Sequence, residues 1–394
     1  MRVFIYLLLL VLVSSCENEY YRGLVNNCVG NVEGPTLSFF ASDEIRIALP
    51  PEFDGGLSIY EYYSSNGTDY IAFCGNGQSI LFFNMRTGLL EKIVEPNEDV
   101  PLIDEILTFH IKSLDSIFIF KDLPPKAYLV NSNGQLVNSW ELRGAPIDWD
   151  GVDEYALFGT HSGFQMDEDK FYISLNTSSF FKINDRTGLK TEAIYDVGTD
   201  SWEAVYGELP KFYSHDREVN FIADLSRPDR VFTKDNVVIS YPQSHEIHVY
   251  DKLGNLEGEH CAGSQYIRHL DEPLTREQSK DRQQTFFRFA ASSSYLGIYY
   301  HSDLNVYTRL VRHKFDIEEA SGKLRSPCEI EYSLIVMDKD FNKIKEVKLD
   351  DHLYDWRFAK GTPSGFWLMP ICDAWPGEDI MNYTTHLKLE LSDT

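Results

Sequence analysis

Residues 80–91 read ILFFNMRTGLLE and residues 179–190 read SFFKINDRTGLK, so Arg-Thr-Gly-Leu stands twice, at Arg86–Leu89 and Arg186–Leu189, each time behind Phe-Phe and an Asn. The chain is apolar from Ile80 to Phe83 and again at Leu89, Leu90, Ile93 and Val94, the pattern of two short strands joined by a tight turn. In such a turn Asn84 hydrogen-bonds the backbone two residues on, and Gly88 supplies the left-handed conformation that closes the loop. The spacing predicts the same hairpin around Asn184 and Gly188. The repeat is then architecture, and Arg86 and Arg186 are tolerated turn residues rather than a ligand motif used twice.

An architectural turn should recur with other residues in its permissive positions. AYLVNSNGQLVNSW (127–140) places Asn131 and Gly134 there, and IHVYDKLGNLEGEH (247–260) places Asp251 and Gly254. SLIVMDKDFNKIKEVKL (333–349) offers Asp338 and Asn342, with Asn342 expected at positive φ because Asn tolerates it best after Gly.

Each hairpin is preceded by a further strand: TDYIAFC (68–74), DSIFIF (115–120), DKFYISL (169–175), DNVVISY (235–241), SYLGIYY (294–300) and GFWLMPI (365–371). Upstream of each lies another strand-like piece: SIYEYYS (58–64), ILTFHI (106–111), EYALFG (154–159), VNFIADL (219–225), TFFRFAA (285–291) and LYDWRFA (353–359). Four antiparallel strands in each of six units, with loops of unequal length and no helix between them, predict an all-β fold, a six-bladed β-propeller in one domain over residues 36–394. The last unit, ending in THLKLEL (385–391), is one strand short, while TLSFFASDEIRIAL (36–49) has no unit of its own. Pairing the two closes the ring and removes its edges, which argues against the rival open solenoid.

The N-terminus reads MRVFIYLLLLVLVSSC, with one Arg and then an apolar run from Val3 to Val13, too short to span a bilayer and placed as a signal peptide over residues 1–15. Val13-Ser14-Ser15-Cys16 is similar to a bacterial lipobox, which makes Cys16 the lipidated residue and 16–35 a membrane tether. The formal charge of −25 repels nucleic acid and anionic lipid surfaces, so neither is an expected partner beyond the lipid itself. Cys28, Cys74, Cys261, Cys328 and Cys372 have no zinc-type spacing; an oxidising compartment permits one or two disulfides of undetermined pairing, and buried thiols are the default.

The lipobox, the start near residue 36, the six units and the length together resemble the six-bladed propeller lipoproteins of the Bacteroidota grouped as domain of unknown function 4221. The resemblance covers the mature chain and implies a lipid-anchored outer-membrane protein, facing the periplasm or the cell surface. It brings no catalytic residues. Cys16-Glu17-Asn18-Glu19 is similar to the acidic surface-export signal of that phylum's lipoproteins.

Function is expected opposite the hairpins, where the second-to-third-strand loops and the inter-blade loops gather. Two long loops are expected there, His301–Glu331 with Tyr307, Arg309, Arg312 and His313, and Cys372–Thr384 with Trp375 and Tyr383. Inter-blade loops add Trp149, Trp202, Tyr206, His215, Tyr266, Arg268 and His269. Aromatic faces beside Arg forks suit sugars, aromatic ligands or a carboxylate-bearing partner; the alternative is that these side chains pack beneath their own loops. Asp148, Asp150 and Asp153 form a weak candidate Ca²⁺ cluster, and no other cofactor is expected. No G-x-S-x-G, H-E-x-x-H, phosphate-binding Gly loop or sialidase Asp box occurs. A binding or scaffolding module for a protein or glycan partner is the leading expectation. The alternative is a hydrolase or lactonase-like enzyme with an acidic site, with or without a metal, at the channel mouth.

Overall fold

The computed structural model describes residues 28, 36–46, 60–75, 78–100, 106, 108–121, 125–146, 156–157, 164–176, 188–210, 213, 219–220, 228–267, 270–271, 274–275, 277–316, 329–349, 354–370 and 383–392. Strand β1 (Thr36–Arg46) is followed by a first sheet, β2 (Tyr60–Ser65), β3 (Thr68–Gly75), β4 (Ser79–Asn84) and β5 (Leu90–Val94). A second holds β6 (Thr108–Ser113), β7 (Ser116–Lys121), β8 (Lys126–Val130) and β9 (Leu136–Glu141). The third holds β10 (Ala156–Leu157), β11 (Phe164–Asp167), β12 (Lys170–Asn176), β13 (Lys190–Asp196) and β14 (Ser201–Glu208). After β15 (Val219–Asn220) comes a fourth, β16 (Asp229–Phe232), β17 (Asn236–Ser240), β18 (Glu246–Asp251) and β19 (Leu256–Cys261). Then β20 (Leu274–Thr275), which pairs with β15, and helix α1 (Arg282–Ala291) lead to a fifth, β21 (Ser294–His301), β22 (Val306–Arg312), β23 (Tyr332–Met337) and β24 (Lys343–Leu349). The last sheet is β25 (Tyr354–Thr362), β26 (Gly365–Pro370) and β27 (Tyr383–Ser392), with β1 as its outer strand, antiparallel from Thr36 opposite Ser392 to Arg46 opposite Tyr383 with a one-residue register shift between Ala41 and Asp43.

This is an all-β propeller of four-stranded antiparallel blades, its last blade completed by the N-terminal strand. Middle strands such as β4 (SILFFN) and β23 (YSLIVM) are buried on both faces because blades stack face to face, and so they read as continuous apolar runs. Outer strands such as β5 and β19 are half solvated and interleave polar residues. Apolar clusters join each sheet to the next, and Trp367 of the last sheet packs on Ile71, Phe73, Leu81 and Phe83 of the first. Each such side chain, fully buried, contributes about 1.5–3 kcal/mol, and together they seal the ring.

Several expectations are corrected. Among the described residues six uniform four-stranded blades are not present: five of the blade sheets have four strands, and the third has five, because β10 and β11 both pair with β12 along one edge. TFFRFAA is helical, not extended: Asp281 accepts hydrogen bonds from the Gln283 and Gln284 backbone N–H groups and caps α1. SYLGIYY is consequently the inner strand β21 of its blade, and the expected loop 301–331 contains the hairpin and the strand β22. In the fourth sheet the inner strand is β16, and residues 219–220 pair elsewhere.

The turn of the opening stretch holds in four sheets. Asn84 accepts from the Arg86 and Thr87 N–H groups, and Gly88 has φ +69°. Asn131 with Gly134 (φ +74°) and Asp251 with Gly254 (φ +83°) repeat it. Asp338 does so as well, but the positive φ, +63°, falls on Phe341 and not on Asn342. The echo at 179–190 differs: Gly188 has φ +69°, yet the strand that follows it, β13, pairs with β12, so Gly188 precedes a third strand where Gly88 precedes a fourth. Asn184 and Arg186 lie outside the described residues.

The turns have a second use, because at three junctions an outer strand leans on the next blade's turn. A Cβ on Gly134 would strike the Glu95 carbonyl, and one on Gly254 would lie 3.1 Å from the Tyr206 Cβ. In the fifth sheet Phe341 occupies that position and its ring stacks on His260 of β19, centroids 4.7 Å apart. Inner strands add their own links: Glu61 accepts the Ile111 N–H of the next blade, and Asp229 accepts that of Ile298.

Candidate functional site between the fourth and fifth blades

The junction of the fourth and fifth blades gathers the polar residues of the 241–246 turn, the 261–267 segment and strands β22 to β24. Arg309, on β22, is fully buried. Its Nε donates to Ser240 Oγ (2.8 Å), Nη1 to the carbonyls of Ala262 (2.9 Å) and His245 (3.3 Å), and Nη2 to those of Ser244 (2.7 Å) and Tyr241 (3.1 Å). The guanidinium also lies 3.5 Å from the Tyr295 ring centroid. Burial pushes its pKa down to about 10, which leaves it charged at neutral pH. It is a clamp between blades, and its donors are occupied.

A carboxylate organises the neighbouring segment. Glu346 accepts from Ser264 Oγ (2.5 Å), the Gln265 N–H (2.8 Å), Ser333 Oγ (2.9 Å) and Lys343 Nζ (3.0 Å), which also donates to the Gly263 carbonyl (3.0 Å). Ser264 Oγ in turn accepts the Tyr266 N–H (3.0 Å), and the Ser264 N–H donates to the Tyr295 hydroxyl, which lies 2.7 Å from His245 Nδ1. Burial pushes the Tyr295 phenol up to about 12, so it stays protonated. The segment 263–266 is thereby fixed on both sides.

Tyr266 stands on this base. Its ring lies over His313, centroids 4.5 Å apart at 30°, and 42% of the residue is exposed. His313 is buried, with Nε2 3.0 Å from Ser333 Oγ and Nδ1 3.6 Å from Glu331 Oε2. Burial lowers its pKa, opposed by Glu331. Glu331, His313 and Ser333 follow the order of a hydrolase triad, but the Ser333 proton is directed to Glu346 and Ser333 is fully buried. Its hydroxyl is neither accessible to a substrate nor poised to give its proton to the imidazole.

Of the side chains singled out in the sequence, Tyr307, Arg309 and Arg312 are buried strand residues and not loop residues. Tyr307 packs on Phe341 (4.7 Å), and Arg312 Nε donates to the Ser292 carbonyl (3.1 Å). Trp202 begins β14 at the hairpin end of its blade, half-buried, donating to the Arg143 carbonyl (2.9 Å), rather than in an inter-blade loop. Trp149, Arg268, His269, Trp375, Asp148, Asp150 and Asp153 lie outside the described residues, as does Cys16. Among the described residues no group of three or more His, Cys, Asp or Glu side chains could hold a metal ion. In the sequence Tyr266 neighbours Arg268 and His269; its support by His313, 47 positions away, carries no sequence signal.

Cysteine chemistry differs from the default as well. Cys28 and Cys261 form a disulfide, and Cys74 is a buried thiol. The carbonyl of Cys28 lies where a Cβ on Gly263 would approach it to 3.0 Å.

Residues 38–348 match the family described as Domain of unknown function (DUF4221). The chain belongs to that family. A crystal structure of a DUF4221 member from Bacteroides vulgatus superposes with a TM-score of 0.73 at 16% identity, covering 91% of this chain and 100% of that one. A protein of Bacteroides fragilis, named as a candidate exported protein, superposes at 0.54 with 10% identity, covering 91% of this chain and 96% of that one. At such identities the likeness concerns the fold alone. No curated protein matches the chain.

Proposed function

We infer that this DUF4221 chain is an exported, lipid-anchored propeller that binds a protein or glycan partner through its loop-rich face, at the outer membrane. The observation that carries the binding role is Tyr266, an exposed aromatic ring held rigidly by His313 and by the Ser264–Glu346 hydrogen bonds. A preorganised aromatic face loses little side-chain entropy on binding and suits the apolar face of a sugar or an apolar side chain. Export is supported by the Cys28–Cys261 disulfide, which persists in oxidising compartments, and by the name of the Bacteroides fragilis neighbour. The lipobox supports removal of residues 1–15 and acylation of Cys16. Among the described residues no helix is long and apolar enough to cross a membrane. For the blade count we read the five-stranded third sheet as a sixth blade with a divided inner strand, since β10 and β11 follow one another along β12.

The test compares wild type with Tyr266→Ala on arrays of bacterial surface glycans and in crosslinking to envelope fractions. Ligands retained by the wild type are expected to lose at least tenfold in affinity in the variant at an unchanged melting temperature. Equal retention by the two proteins would sink the assignment of the face to Tyr266.

A further inference from the structure

The charges around Tyr266 differ from those of the rest of the chain. Residues 294–349 hold nine Lys or Arg and nine Asp or Glu, so the fifth blade is formally neutral and the remaining residues carry the whole charge of −25. At physiological ionic strength exposed charges more than about 8 Å away are largely screened, so the groups beside the ring decide which ligands it accepts. Arg309 lies under the segment that carries Tyr266, donating to the Ala262 carbonyl; its hydrogen-bond partners are the Ser240 hydroxyl and backbone carbonyls. Its charge is thus met by neutral dipoles and not by a carboxylate, and burial keeps water from screening it. Lys314 follows His313 in the chain, and its Nζ lies 3.3 Å from Asp271 Oδ1, with 64% of the lysine side chain exposed against 9% of the aspartate's. Asp271 Oδ2 accepts the Ser293 N–H (2.9 Å), so the ammonium is the outward member of this pair. On another side of His313, Glu331 Oε2 lies 3.6 Å from Nδ1 and its Oε1 lies 2.7 Å from Lys348 Nζ, with 51% of the glutamate exposed. Exposed pairs of this kind are weak, so their members can turn to a ligand.

We propose that the ligand of this site is an acidic glycan: Tyr266 stacks on the pyranose ring of a uronic acid, Lys314 takes its carboxylate and Glu331 accepts its hydroxyls. The inference rests on Tyr266 being the binding ring of the loop-rich face. A uronate presents an apolar C–H face, hydroxyl donors and one carboxylate, which match an aromatic ring, a carboxylate and an ammonium in turn. A neutral sugar leaves the Lys314 ammonium unused. An acidic peptide brings a second carboxylate toward Glu331 where a sugar brings hydroxyls.

The purified protein is titrated calorimetrically with short oligomers of galacturonate, mannuronate and glucuronate, with the same chains after reduction of their carboxyl groups to alcohols, and with oligoglutamate. At least one oligouronate is expected to bind, and its reduced form to bind about tenfold more weakly, as the loss of one charge-assisted hydrogen bond implies. Lys314→Gln should show the same loss for the uronate and none for the reduced chain, and Tyr266→Ala should lose both. Equal affinity for the uronate and its reduced form, with both lost in Tyr266→Ala, would overturn the acidic ligand and leave the Tyr266 site standing. Wild-type uronate affinity in Lys314→Gln overturns the proposed carboxylate contact, and tighter binding of oligoglutamate than of any uronate overturns the glycan in favour of an acidic protein. Binding of no uronate overturns the ligand class alone. Full uronate affinity in Tyr266→Ala at an unchanged melting temperature overturns the site and the ligand class together.

Discussion

Arg309 illustrates how a residue changes meaning between sequence and fold. In the sequence it is a cation in a chain short of positive charge; in the structure it bonds the Ser240 hydroxyl, the carbonyls of the 241–246 turn and the Ala262 carbonyl of the preceding blade, and lies on the Tyr295 ring. Arg309→Met should destabilise the protein by at least about 3 kcal/mol in urea unfolding, because it strands several buried carbonyls. Arg309→Lys should recover little of this, since one ammonium cannot reach both sides of the turn. Phe341 is the other informative residue. A bulky side chain at φ +63° carries strain of order 1 kcal/mol, offset by stacking on His260 and Tyr307. A double-mutant cycle of Phe341→Gly with His260→Ala should show a coupling of about 0.5–1.5 kcal/mol; a value near zero would mean that the ring is there by accident.

At the scale of elements, hairpins were legible because their determinants are local: an Asn or Asp that bonds the backbone ahead, and a residue tolerant of positive φ. The closing strand was legible because β1 had no local partner and the last unit lacked one. The fifth unit departs from the expected pattern for a physical reason. TFFRFAA is rich in aromatic residues like a strand, whereas VYTRLVR carries two Arg within a buried strand, which is tolerable because the fourth blade supplies acceptors for Arg309 and the Ser292 carbonyl, just before β21, accepts from Arg312. The signal that could have corrected this was Asp281, an N-cap ahead of Arg282-Gln283-Gln284. Asp281→Ala should cost about 1 kcal/mol and raise amide exchange in the first turn of α1, with the sheets unaffected.

For the whole molecule, pH is a global probe of burial. Burial lowers the pKa of His248, His260 and His313 below 6.5. The unfolded chain therefore takes up these protons first as pH falls through 6.5, and the stability that the neutral imidazoles contribute above that value is lost progressively toward their folded pKa values. The melting temperature of the wild type should fall more steeply between pH 7 and pH 5 than that of His248→Phe; parallel curves would contradict the assignment. The sequence by itself determined the antiparallel propeller architecture, four of its turns, its closure by β1 and its acidic composition, since each follows from alternation, local hydrogen bonding or composition. Only the tertiary structure decided that the apparent cationic wall is a buried clamp, that Cys28 pairs with Cys261, and that Tyr266 is held on His313. Those outcomes depend on contacts between blades far apart in the chain, where neither spacing nor propensity leaves a trace.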